Sequence, residues 1–231
     1  PLQAALAPNS MDVCIIADKT GSMASYLRSL GTSLPEIISM IPLFDSVDKV
    51  GVFAYGDYCD KEVTKWSGWK TNVKDLMPFV EELNADGGGD TPEAAKTAIR
   101  DMIANITKDT KIIFYTDAPP HLDVPSHATG NAAMEKEALG DDFDWIALCS
   151  RLESAGGECW FIVPRSIDDA SRRMYSYMSS VTGGKTLAIP STSVEIISKT
   201  TIGILLSIMG HSYDFAEVSE FKFTPDSSFC P

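Results

Sequence analysis

The stretch MDVCIIADKTGS at residues 11–22 decides the fold of this chain. Its first seven residues form an apolar run of strand length, which is typical of a strand buried on both faces of a parallel sheet. The run ends at Asp18, and the hydroxyl residues Thr20 and Ser22 follow at alternate positions. Ligands of parallel sheets bind beyond the carboxyl ends of the strands, so this loop is predicted to be part of a binding site.

Further strand patterns alternate with helical patterns along the rest of the chain. Strands are predicted at 48–58, 111–116, 158–163 and 185–189, with a short strand or edge hairpin near 61–69. Helical spacing of apolar residues recurs at 23–38, 76–83, 95–106, 131–154, 167–179 and 193–209. This alternation predicts an α/β fold: a doubly wound, mostly parallel sheet with helices on both faces, Rossmann-like. We place the domain at residues 10–210, with an N-terminal arm at 1–9 and a C-terminal arm at 211–231 that packs on the domain or trails it.

Charge and hydropathy exclude several classes of partner. The 19 basic and 32 acidic residues give a formal net charge of −13, which opposes binding to nucleic acid or to an anionic membrane. The longest apolar stretch, at 194–210, contains Glu195 and Lys199 and is shorter than the ~20 residues that a membrane crossing needs. We therefore expect a packed terminal helix and no transmembrane segment.

The five cysteines are scattered and form no CxxC pair. An odd, scattered set argues against a disulfide framework or a zinc ribbon, and it favours a cytoplasmic over an extracellular location. Cys14 is predicted to be a core residue. Because no initiating methionine is present, we expect the chain to be part of a larger protein.

Two later loops carry the same kinds of side chain as the first. The glycine-rich segment ADGGGDTPEAA at 85–95 is predicted to deliver Thr91 as the N-cap of a helix that begins at Pro92. The segment TDAPPH at 116–121 places Asp117 at the end of a strand. Any one of these residues could simply cap a helix, as Ser22 could cap a helix from Met23. Two strand-end aspartates and three hydroxyls at one edge of a sheet are less easily explained as caps.

These segments resemble a known family. Asp18-x-Thr20-x-Ser22, GGGDTPEAA and FYTDAPP follow, in order, the three segments of the metal-ion-dependent adhesion site of von Willebrand factor A domains, and the likeness runs from about residue 11 to 209. The family usually has serine where Thr20 stands. DKTGSM, VGVFAYGDYCD and TDAPPH are closest to the versions in A domains associated with alpha-type protein kinases, although Gly56 replaces an arginine common there.

The resemblance implies a metal site and a protein partner. The implied ion is Mg²⁺ or Mn²⁺, bound directly by the hydroxyls of Thr20, Ser22 and Thr91 and through water by Asp18 and Asp117. Asp90 and His121 are expected at the periphery of this site. The ion's open position would accept a Glu or Asp of a protein ligand, which makes the domain a recognition module. The alternative is a scaffold in which the metal only orders the loops and the partner docks elsewhere.

Enzyme functions explain the residues less well, so we expect no enzymatic activity. DKTG also occurs in ion-pumping ATPases, where the aspartate is phosphorylated, but that chemistry needs a later acidic pair for Mg²⁺, and TDAPPH has none. A Ser22–His121–Asp117 hydrolase would need a base that nothing in the sequence places beside Ser22. The Walker, G-x-G-x-x-G and G-x-S-x-G patterns are not found in the sequence.

The pattern His121-x-Asp123-x₃-His127 offers ligand-type residues for a second, zinc-like metal site. It has no fourth ligand at zinc spacing, and a loop histidine bonded to backbone is the alternative. The acidic cluster Asp141, Asp142 and Asp144 is predicted to cap a helix.

Overall fold

The computed structural model describes residues 10–40, 46–89, 91–107, 109–123 and 129–225. The strands are β1 (Met11–Asp18), β2 (Val47–Tyr55), β3 (Thr64–Trp66), β4 (Thr110–Tyr115), β5 (Gly157–Pro164), β6 (Thr186–Ile189) and β7 (Ser219–Phe221). The helices are α1 (Ala24–Met40), α2 (Met77–Glu81), α3 (Ala95–Ile103), α4 (Gly130–Leu139), α5 (Trp145–Ser154), α6 (Asp169–Thr182) and α7 (Val194–Ile208). The predicted N-terminal arm, Asp90 and His127 lie outside the described residues.

Within the described part of the chain, seven strands form one sheet in the order β3-β2-β1-β4-β5-β6-β7. The five central strands are parallel, and β3 and β7 pair antiparallel at the two edges. This confirms the predicted doubly wound α/β fold. The strand order reverses at β1, which lies between β2 and β4, so the loops after β1 and β4 meet at the switch point where such sheets bind ligands.

The sheet is covered on both faces, as the apolar strand patterns predict. Alternate residues of β1 enter opposite cores: Val13 and Ile15 pack with α1, α2 and α7, whereas Cys14 and Ile16 pack with α3, α5 and α6. Cys14 is fully buried, which confirms its predicted place in the core. No helix in the described ranges is long and apolar enough to cross a membrane.

Two parts of the fold differ from the sequence expectation. The predicted helix over 131–154 is two helices, because Gly140 ends α4 with a φ of 56° and Asp144 caps α5 by accepting a hydrogen bond from the Ala147 amide. The cap confirms the role predicted for the acidic cluster. The second difference is β7, an edge strand that lies within the segment predicted as a peripheral arm.

Candidate functional site

Asp18 is the last residue of β1 and is buried beneath the surface, outside the set of residues that line the pocket described below. Its side chain is 0% exposed, and its Oδ1 accepts hydrogen bonds from the Thr20 amide at 2.8 Å and the Thr20 hydroxyl at 2.7 Å. The Tyr55 hydroxyl, from the paired residue of β2, lies 3.3 Å from Oδ2. The carboxylate is therefore fixed in orientation by three donors before any ligand binds.

Ser22 connects the loop after β1 to the loop after β4. It lies in a 3₁₀ turn, Gly21–Met23, and its hydroxyl donates to Asp117 Oδ1 at 3.0 Å. The interpretation of Ser22 as the cap of a helix from Met23 is wrong, since α1 begins at Ala24 and Ser22 bonds across to the neighbouring loop instead. The structure thus brings together two residues that are 95 positions apart.

Thr91 reaches the same pocket from the glycine-rich loop. The pocket is lined by Gly21, Ser22, Gly87, Gly88, Gly89, Thr91, Glu93, Asp117 and Ala118. The prediction that Thr91 is an N-cap and Pro92 the first helical residue is wrong. The helix α3 begins at Ala95 because the Glu93 amide donates to Pro119 O at 2.9 Å, which ties residue 93 to the loop after β4 before the helix starts.

The glycine-rich loop is held in place by backbone bonds and by Asp60. Gly21 N donates to Gly87 O at 3.2 Å. Asp60 accepts from the amides of Gly88, at 3.1 Å, and Asp57, at 2.8 Å. A methyl group on Gly87 or on Gly56 would overlap the Asp60 carboxylate, so both glycines are needed for this close approach.

Burial makes the site a poor environment for uncompensated negative charge. Loss of solvation raises the pKa of Asp18 to about 7, against the opposing hydrogen bonds from Thr20. Burial also raises the pKa of Asp117. Burial, followed by repulsion from the Asp18 charge, raises the pKa of Glu93 to about 10. A cation bound near these three carboxyl groups would offset the cost of ionising them, so the site is one in which a cation would be stabilised.

The donor set fits a small hard cation. Thr20 and Ser22 give their hydroxyl protons to Asp18 and Asp117, which leaves their oxygen lone pairs free to accept a cation. The two hydroxyl oxygens lie 3.4 Å apart, close to the roughly 3 Å between adjacent ligands of an octahedral Mg²⁺ with bonds of about 2.1 Å. Within the described ranges no three His, Cys, Asp or Glu side chains form a metal-binding group. The predicted set relies instead on three hydroxyls and two carboxylates.

Comparison with known proteins places the chain in a family. A family model described as von Willebrand factor A domain matches residues 12–190. The chain belongs to the von Willebrand factor A domain family. The "Putative ariadne-like RING finger protein" of Acanthamoeba polyphaga mimivirus is 43% identical over 208 residues, 89% of this chain. The chain spans only 21% of the length of that relative.

Solved structures show the same fold in this von Willebrand factor A domain. The von Willebrand factor type A protein from Catenulispora acidiphila matches with a TM-score of 0.62 at 13% identity, over 88% of this chain and 43% of that one. The pilus adhesin SpaC from Lactobacillus rhamnosus GG, in an open conformation, matches with a TM-score of 0.61 at 13% identity, over 90% of this chain and 30% of that one.

His121 lies in a buried cluster of the von Willebrand factor A domain and not in the wall of the pocket. Its side chain is 0% exposed, its Nδ1 is 2.7 Å from Glu135 Oε2, and its Nε2 is 3.7 Å from Asp57 Oδ1. The alternative of a loop histidine bonded to backbone is therefore wrong. The Ser22–His121–Asp117 arrangement is not formed either, because Ser22 donates directly to Asp117 while both histidine nitrogens face other carboxylates. Asp123, the next residue of the considered zinc motif, is paired with Lys136 at the surface.

Glu93 is the pocket residue of the domain that sequence reasoning missed. Its side chain is 4% exposed, and its buried Oε2 has no hydrogen-bond partner in the part of the chain that the structure describes. The signal was available, since Glu93 follows Thr91 by two residues in a loop already predicted to line the site. The assumed helix start at Pro92 hid its place in the pocket.

Proposed function

We propose that this von Willebrand factor A domain is a divalent-cation-dependent protein-recognition module. Asp18, Thr20, Ser22, Thr91 and Asp117 would hold Mg²⁺ or Mn²⁺ in the manner of a metal-ion-dependent adhesion site. The observation that carries the proposal is the Ser22–Asp117 hydrogen bond, which joins the loops after β1 and β4 in the pocket that Thr91 also lines. A Glu or Asp of a protein partner would complete the site.

The proposed roles of the site residues follow from their charge and their exposure to solvent. The bound ion would supply the local positive charge that a chain of net charge −13 otherwise needs in order to attract an acidic partner. Thr20 and Ser22 offer neutral oxygens, and the hydrogen bonds from Thr20 keep Asp18 facing inward. Ser22 and Thr91 are solvent-exposed, so the open side of the site is the side that a partner can reach.

We also propose that the domain is not an enzyme. A phosphorylated aspartate must reach its phosphate donor, whereas the Asp18 side chain is fully buried and its carboxylate already accepts two hydrogen bonds from Thr20.

The sequences of the site loops support kinship with alpha-kinase-associated A domains. In this chain Lys19 Nζ and the Asp60 carboxylate approach the space that a side chain at Gly56 would enter. We infer no RING activity from the mimiviral relative, because the similarity covers 21% of that protein and this chain has no CxxC pair.

A scaffold function is the second candidate. The side chains of Asp18 and Thr20 are at most 1% exposed, so an ion bound there could order the loops without touching a partner. Peptides selected from a random library in Mg²⁺ distinguish the two candidates. Binders that carry an essential Glu or Asp and are lost in EDTA support recognition through the ion. Binders that tolerate EDTA and replacement of their acidic residues support the scaffold.

Cation binding itself is tested by titration calorimetry with Mg²⁺ and Mn²⁺. We expect Asp117→Asn and Thr91→Ala to weaken binding at least tenfold. Thr71→Ala, which removes another exposed threonine, serves as the matched control and should bind as the wild type does. Equal affinity in all four proteins would refute the assigned site.

A further inference from the structure

We infer that Glu93 is a third carboxylate of the cation site, holding a water of the bound ion from the inner wall of the pocket. The inference rests on the proposed function, since it assigns a residue to the same site. Glu93 is not one of the five residues that the family resemblance implies. It acts as a positioning residue for the ion's water shell, in addition to Asp18 and Asp117.

The backbone around Glu93 fixes its side chain at the pocket. The Glu93 amide donates to Pro119 O, and residue 93 forms a parallel bridge with Pro120, so the segment is anchored to the loop that carries Asp117. The side chain lines the pocket together with Ser22 and Thr91. This anchoring gives Glu93 a fixed position relative to two of the proposed ligands.

One oxygen of the Glu93 carboxylate, Oε2, accepts no hydrogen bond from the described residues. Because this oxygen is buried, the missing partner is unfavourable unless a ligand or water supplies a donor. A Cβ atom added to Gly88 would lie 2.9 Å from Glu93 Oε1 and 3.1 Å from Thr20 Cβ. The Glu93 carboxylate and Thr20 therefore both border the space that the missing side chain of Gly88 leaves open. Thr20 gives its hydroxyl proton to Asp18. Lys96, the nearest lysine along the chain, donates to Phe143 O instead.

The arrangement favours an indirect contact with the ion. Glu93 lies in the wall of the pocket, where its buried carboxylate would accept a hydrogen bond from an ion-bound water. Such outer contacts typically change metal affinity 10–100-fold. Glu93 therefore strengthens retention of the ion.

Calorimetric titration of the intact chain with Mn²⁺ tests the role of Glu93. We expect Glu93→Gln to bind Mn²⁺ at least tenfold more weakly than the wild type. Asp86→Asn is the matched control, because Asp86 is an exposed acid in the same loop and asparagine keeps the oxygen that accepts from Gly87 N. This control should stay within twofold of the wild type. Glu93→Asp, which keeps the charge, should retain more affinity than Glu93→Gln.

The outcomes separate this inference from the proposed function. If the wild type binds Mn²⁺ and Glu93→Gln binds it equally well, the role of Glu93 is refuted while the cation site stands. If the wild type does not bind Mn²⁺, the proposed function fails and this inference fails with it. Thermal unfolding in EDTA checks the fold: Glu93→Gln should melt at or above the wild-type temperature, because an amide replaces a buried acid. Should Glu93→Gln not fold, Glu93→Ala takes its place, and an affinity for Mn²⁺ equal to that of the wild type would refute the role.

Discussion

Replacing Gly87 by alanine tests whether the glycine-rich loop is built around the Asp60 carboxylate. Gly87 has a φ of 87°, a left-handed conformation that costs other residues about 1–2 kcal/mol. The added methyl would also displace Asp60 from the amides of Gly88 and Asp57, and the Asp57 amide belongs to a fully buried residue. Leaving that donor unpaired costs about 1–3 kcal/mol, so we expect Gly87→Ala to destabilise the domain by about 3 kcal/mol.

Gly31→Ala is the matched control, and it is expected to raise the free energy of unfolding where Gly87→Ala lowers it. Gly31 lies inside α1, and no atom of the described residues comes within 4 Å of a methyl group placed there. Alanine is a better helix former than glycine, so we expect a gain of about 0.5–1 kcal/mol. Urea unfolding in EDTA at 25 °C measures both variants on one scale.

A double-mutant cycle with Asp60→Ala isolates the contact. Without the Asp60 side chain, Gly87→Ala should cost only its backbone strain, about 1–2 kcal/mol. The difference from its cost in the wild type is the coupling energy between the two positions. A cost below 1 kcal/mol in the wild type, or an equal cost in both backgrounds, would refute the reasoning.

Three further perturbations have expected outcomes. Glu135→Gln should destabilise the domain by about 3 kcal/mol in urea unfolding, because it breaks a buried pair with His121. Burial lowers the pKa of Lys96 to about 8, below the roughly 10.4 of an unfolded lysine. Between pH 8 and 10 the unfolded state therefore binds more protons than the folded state. Over this range the stability of the wild type should rise relative to that of Lys96→Met. Gly203→Ala should lower the melting temperature by overpacking, at a cost of about 1–3 kcal/mol, since its methyl would lie 2.5 Å from the Tyr213 ring.

Each of these expectations has a contradicting result. A Glu135→Gln protein as stable as the wild type would show that the buried cluster contributes nothing. Parallel pH profiles for the wild type and Lys96→Met would contradict the lowered pKa. An unchanged melting temperature for Gly203→Ala would show that the segment after α7 does not pack on that helix.

The sequence was sufficient for the parts of the fold that depend on burial. The apolar runs at 11–17 and 111–116 correspond to β1 and β4, because a strand covered on both faces needs apolar residues at nearly every position. Edge strands need no such pattern. The residues of β7 are largely exposed, so no periodicity marked them within the predicted arm. The division between α4 and α5 depends on one glycine and one cap, which a long helical pattern conceals.

The site was predictable where residues follow directly from strand ends. Asp18 and Asp117 lie at the ends of adjacent parallel strands, and such ends always meet at one edge of the sheet. Residues placed by tertiary pairing were harder to predict. The pairing of Glu93 with Pro119 delays the start of α3 and brings Glu93 into the pocket, and local helix signals at Thr91 and Pro92 point the other way. His121 was misplaced because its partner, Glu135, belongs to a helix 14 residues further along the chain.

A crystal structure with Mn²⁺, examined in an anomalous difference map at the manganese edge, tests the central claim most directly. The account predicts a peak in the pocket bounded by Ser22, Thr91 and Asp117, with water on the side that faces solvent. Crystals saturated with Mn²⁺ that show no peak there, or a peak only elsewhere on the molecule, would contradict the cation site.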